Sequence, residues 1–123
     1  MQVKSFAIWA NAEKEQVPAL VQSTLVWANE NNLEVHLADQ LKSIDIDSDV
    51  SYFSTKNPPD VDFLLCFGGD GTLISGVRIF SFPSVPVLGV HLGGLGFLAQ
   101  ITPEVLIKKL ECIKNNEFKF KID

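Results

Sequence analysis

The run Asp62-Phe63-Leu64-Leu65-Cys66-Phe67 is almost wholly apolar and stops abruptly at Gly68-Gly69. A strand with one wet face alternates polar and apolar residues, and this one does not. It fits a strand buried on both faces of a parallel sheet, and ligands bind outside the carboxyl ends of such strands. Here the chain leaves the strand through Gly68-Gly69-Asp70-Gly71-Thr72. Glycines let a backbone turn sharply and approach a phosphate, and successive N–H groups can form an anion-binding hollow. A lone carboxylate in that hollow would repel the anion. It suits instead a base for an attacking hydroxyl, or a group facing a metal ion. The pattern therefore points to phosphoryl transfer. The plainer alternative is a tight strand-to-helix turn, in which Gly, Asp and Thr are ordinary residues.

The rest of the chain supplies strands and helices in alternation. Val3 to Ala10 reads as a first strand. Val17, Leu20, Val21, Thr24, Leu25 and Ala28 recur at helical spacing, so a helix is expected from about Pro18 to Asn29. Leu33 to Ala38 alternates as a second strand. Asp39 to Pro59 is polar and is expected to be a connection holding at most one short helix. Within it, Asp45, Asp47 and Asp49 alternate like a calcium loop, but Lys56 stands where such a loop needs its closing Glu. No metal ligand is assigned there. Val61 to Phe67 is the third strand, Thr72 to Phe82 a helix stopped by Pro83 and Pro86, and Val87 to Val90 the fourth strand. Thr102-Pro103-Glu104 is a helix start, with a capping hydroxyl, a first-turn proline and an acid. Phe118 to Ile122 alternates once more, as a strand. The expected architecture is α/β, a doubly wound and largely parallel sheet in a single domain over residues 1–123.

Charge and cysteine usage narrow the function classes. A formal net charge of −5 disfavours nucleic acid or an anionic membrane as partner. Cys66 lies inside the apolar strand and Cys112 stands apart from it, so no disulfide framework is expected. Without a recognisable leader, the expected compartment is the cytoplasm. From Ile79 to Pro103 there is no Asp, Glu, Lys or Arg, which is long enough to suggest a membrane span. Three prolines and four glycines in that stretch would leave backbone groups unsatisfied in lipid. A span is rejected.

Those glycines form a second motif, Leu88-Gly89-Val90-His91-Leu92-Gly93-Gly94-Leu95-Gly96-Phe97-Leu98. It is not a Rossmann fingerprint, which belongs at the first strand-to-helix turn. Both glycine loops follow a strand, so both are expected at one sheet edge, in one crevice.

Together, the FGGDGT and GVHLGGLGFL stretches closely resemble the NAD kinase family. Each motif alone is shared more widely, since GGDG occurs in phosphofructokinases and GGDGT in diacylglycerol and sphingosine kinases. Lipid kinases carry a Pro-Leu-Gly-Thr-Gly-Asn-Asp-like sequence at the second position, absent here. The resemblance implies transfer of the ATP γ-phosphoryl group to the 2′-hydroxyl of the adenosine ribose of NAD, giving NADP, with Mg2+ or another divalent metal. It implies Asp70 as general base, and Gly68, Gly69, Gly71 and Thr72 as a phosphate-cradling turn. It also implies contacts from His91, Leu95 and Phe97 to the bound dinucleotide.

Family members continue into a second, β-rich domain, and the strand at about 118–122 is expected to lead toward it. The isolated chain is accordingly expected to be inactive, and the full-length protein a homo-oligomer. Two alternatives stay open: a lipid kinase domain, and a non-catalytic nucleotide-binding module.

Overall fold

The computed structural model describes residues 2–46, 50–81, 85–92 and 101–115. Its strands are β1 (Ser5–Ala10), β2 (Glu34–Ala38), β3 (Ser51–Phe53), β4 (Phe63–Gly68) and β5 (Val87–His91). Its α-helices are α1 (Val17–Glu30), α2 (Asp70–Ile79) and α3 (Leu106–Lys114). The strands form one sheet in the order β3-β2-β1-β4-β5, and every pairing is parallel. This is the expected doubly wound α/β architecture.

The double winding follows from handedness. The connection β1–α1–β2 moves toward one edge of the sheet, and β4–α2–β5 moves toward the other. Parallel crossovers are right-handed, so opposite directions of travel place their helices on opposite faces. Strand alternation bears this out. Phe6 of β1 stacks on Phe63 of β4 with ring centroids 4.8 Å apart, and meets Trp27 of α1 on that face. Trp9 of β1 and Cys66 of β4, paired in register, point to the other face and pack under Gly76 of α2.

Helix α3 joins α1. Trp27 donates its indole N–H to Glu111 Oε1 at 2.5 Å, and Lys114 Nζ donates to the Asn31 side-chain carbonyl. All of Phe63–Gly68 is buried, as the unbroken apolar run requires. Fully burying one Phe or Leu side chain contributes about 1.5–3 kcal/mol, and β4 buries Phe63, Leu64, Leu65 and Phe67 together. At the opposite end of the sheet, the Asp62 carboxylate accepts from the backbone N–H groups of Lys4 (2.7 Å) and Ser5 (3.1 Å). That ties the start of β4 to the start of β1.

Two expectations change. The connection after β2 holds a 3-10 turn over Asp39–Ser43 and then a strand, β3, at the sheet edge. Three residues are too few to show a period of two, but Phe53 is buried and meets the ring of Phe80 edge-on at 5.5 Å. The helix start at Thr102 is offset. Pro103–Val105 forms a 3-10 turn and α3 begins only at Leu106. Thr102 has the extended backbone of a cap, but its hydroxyl bonds the Glu104 carboxylate rather than a backbone N–H. That carboxyl is held below its usual range by Glu104's own backbone N–H first, and by Thr102 second. The strand expected at 118–122 lies outside the described residues.

Candidate active site

The strand order reverses between β1 and β4. Side by side at the centre of the sheet, they send their crossovers in opposite directions, and a crevice opens between their carboxyl ends. Strand β1 leaves through Trp9-Ala10-Asn11, and β4 through Gly68-Gly69-Asp70. The Asn11 N–H donates to the Phe67 carbonyl at 3.0 Å, which carries the pairing one residue past β1. A cavity of about 350 Å³ lies there, walled by Trp9 and Asn11, by Gln40, and by Gly71, Thr72 and Ser75 of α2. Gln40 is held in that wall by donating to the Ala10 carbonyl.

The glycine turn has two kinds of glycine. A Cβ on Gly68 would stand 2.5 Å from Thr72 Oγ1 and 2.7 Å from Thr72 Cβ, so Gly68 is glycine because Thr72 lies on it. A Cβ on Gly69 or on Gly71 would meet nothing within 4 Å. Nothing inside the fold demands glycine at those two positions. What their bare backbone leaves is room for something outside the fold to come close. Asp70, partly buried, stands between them as the first residue of α2. The helix thus points the positive end of its dipole at the same opening.

The second loop begins beside the first. In the ladder between β4 and β5, His91 pairs with Gly68, and the Leu92 N–H donates to the Gly68 carbonyl at 3.1 Å. His91 also accepts the chain on its return: its N–H donates to the Ile101 carbonyl at 2.9 Å, and Val90 bridges Ile101 in parallel. So Gly68, Gly69, Asp70, Gly71, Thr72 and His91 share one carboxyl edge. Leu95 and Phe97 lie outside the described residues.

Sequence reasoning missed Trp9, Asn11, Gln40 and Ser75. Asn11, directly after the first strand, carried the only local signal, because a polar residue at a parallel strand's carboxyl end faces the crevice. Gln40 and Ser75 reach the site only through the crossovers, which no local pattern reveals. Among the described residues no three His, Cys, Asp or Glu side chains gather closely enough to hold a metal ion. Among the same residues, no helix is long and apolar enough to cross a membrane.

Fold and turn define a doubly wound α/β protein with a glycine turn at its topological switch point. The chain belongs to the ATP-NAD kinase family: that family's N-terminal domain matches residues 6–118. It is 35% identical over 116 residues to the NAD kinase of Syntrophotalea carbinolica, covering 94% of this chain and 41% of that protein. It is 33% identical over 112 residues to the NAD kinase of Methanosphaera stadtmanae, covering 90% and 40%. The crystal structure of yeast NADH kinase complexed with NADH superposes with a TM-score of 0.76 at 18% identity, over 95% of this chain and 39% of that one. The chain therefore spans about two fifths of the length of these relatives.

Proposed function

We propose that this chain is the amino-terminal, catalytic-base-bearing part of an NAD kinase. In this reading the γ-phosphoryl group of ATP passes to the 2′-hydroxyl of the adenosine ribose of NAD, and NADP leaves. The observation that carries it is the open space over Gly69 and Gly71 on either side of Asp70, at the switch point of the sheet. Family membership supports the same reading.

Phosphoryl transfer asks a protein mainly for positioning and charge stabilisation. The backbone N–H groups of the turn and of the first turn of α2 would receive phosphate oxygens. Asp70, at the rim of that hollow, would take the proton of the ribose hydroxyl as its oxygen attacks phosphorus. A positioned carboxylate of this kind typically contributes about 10²–10⁴-fold in rate. His91, level with Gly68, and Leu95 and Phe97 beyond it would contact the dinucleotide.

Magnesium usually binds proteins through one or two carboxylates and the substrate's phosphates. Asp70 is the one acidic side chain of the glycine turn, and no cage of three ligands exists among the described residues. Asp70 therefore fits as a single protein contact to a phosphate-bound ion, which would supply charge neutralisation. The same reading extends to a cytoplasmic enzyme, oligomeric at full length, without nucleic acid or membrane as partner.

Incubating the complete natural protein with ATP, magnesium and NAD, and resolving the products, tests the proposal. Formation of 2′-phosphorylated NAD supports it. Phosphorylation of a diacylglycerol or sphingoid base instead, or nucleotide binding without transfer, would replace it with a lipid kinase or a binding module. The 123-residue chain alone is expected to form no appreciable NADP. Positioning lowers a barrier by about 7–11 kcal/mol only where both reactants are held, and this chain spans about two fifths of its relatives.

A further inference from the structure

We infer that Trp9 is a positioning residue for Asp70, acting through the first turn of α2. The inference rests on the NAD kinase reading for its kinetic consequence, but its structural half stands alone.

Trp9 is the next-to-last residue of β1, far from the glycine motif in sequence and directly beneath it in space. Its indole N–H donates to the Thr72 carbonyl at 3.1 Å. Its Cδ1 lies 3.2 Å from where a Cβ on Gly76 would stand, so the bare backbone at position 76 lets the ring sit close under α2. One aromatic side chain thus touches the helix at two points, one turn apart. A helix carbonyl held by a side chain from the central strand cannot slide or roll freely over the sheet.

Thr72 is gripped from its other side as well. Its side chain rests on Gly68, close enough to exclude any Cβ there. The segment Gly68–Thr72 is therefore pinned at both ends, by the β4 ladder at Gly68 and by Trp9 at Thr72. Asp70 is the middle residue of that segment. Its backbone position is set by these two anchors, and neither anchor requires Trp9 to touch a substrate. Thr72 and Gly68 belong to the recognisable motif, whereas Trp9 belongs to no motif in the sequence.

The indole N–H is the specific element. Replacing Trp9 with β-(3-benzothienyl)alanine keeps the ring's shape and removes only the donor. Trp9→Phe serves as a second variant, smaller and also without the donor. Two readouts are taken on each. The first is kcat and KM of the complete natural protein with ATP and NAD. The second is amide hydrogen exchange in α2 of the 123-residue chain, at Leu73, whose N–H donates to the Gly69 carbonyl at 3.1 Å.

The expected result is faster exchange at Leu73, with kcat down roughly tenfold or more and both KM values changed less than about twofold. A variant that merely unfolds more easily would exchange faster throughout the sheet, including at Leu64, and would lose active molecules without this split. Unchanged exchange at Leu73 overturns the inference whatever the activity does. Faster exchange with unchanged kcat overturns its catalytic half. If the natural protein makes no NADP at all, the functional reading fails, while the exchange at Leu73 still decides whether Trp9 holds the turn.

Discussion

Gly68 and Thr72 fit together as knob and socket: the threonine side chain occupies the place where a Cβ on residue 68 would project, 2.5 Å from Oγ1 and 2.7 Å from Cβ. The strand end and the first turn of α2 are locked by that contact. It adds a steric lock to the hydrogen bond by which the Gly68 carbonyl accepts the Leu92 N–H.

Gly68→Ala should therefore force Thr72 and the start of α2 away from β4. Overpacking of this kind costs about 1–3 kcal/mol. Urea unfolding of the 123-residue chain, followed by far-UV circular dichroism, should show a lower midpoint. Adding Thr72→Ser to Gly68→Ala should not restore it, because the threonine Cβ remains in the way. A wild-type midpoint in either variant would mean that the turn is softer than the contact implies.

The opposite substitution pressure operates at Gly76. Helix propensity alone favours alanine over glycine there by about 1 kcal/mol. Against this, the new Cβ would stand 2.7 Å from Cys66 Sγ, 3.0 Å from Leu64 Cδ2 and 3.2 Å from Trp9 Cδ1. Two of these neighbours belong to a fully buried strand with little freedom to give. Gly76→Ala should thus destabilise, and the loss should shrink in a Cys66→Ala background, where the nearest atom is gone. A net gain in stability from Gly76→Ala would show that α2 can lift from the sheet at no cost.

How much of this was legible beforehand varies with the length of each signal. The buried strand at Phe63, the glycine turn and the parallel order came from continuous patterns, and they stand in the structure. Strand β3 did not announce itself, because Ser51, Tyr52 and Phe53 are too few for periodicity and owe their conformation to pairing with β2. Trp9 read as one more apolar residue of β1. Its bond to Thr72 spans 63 residues and exists only once the crossovers have brought β1 beside β4. The line between the two cases is physical: local patterns encode elements, whereas side chains that meet across elements are encoded by topology.

The two cysteines should differ sharply in reactivity. Burial among apolar neighbours pushes the Cys66 thiol well above its ordinary range, so almost no thiolate exists at neutral pH. Cys112, partly exposed on α3, is not sealed in this way. Iodoacetamide at neutral pH, read by peptide mass spectrometry, should label Cys112 first and reach Cys66 only in denaturant. Equal labelling of both in the native chain would indicate that β4 opens readily.

The most direct test of the account is the turnover of Asp70→Asn in the complete natural protein, with NAD binding measured in parallel. Asparagine keeps the size of the side chain and one hydrogen-bonding oxygen, but it cannot accept the proton of the ribose hydroxyl. NADP formation should fall by about 10²–10⁴-fold while NAD binding remains detectable. Turnover near that of the unmodified protein would contradict the account, because the carboxylate at the switch point would then not be the base.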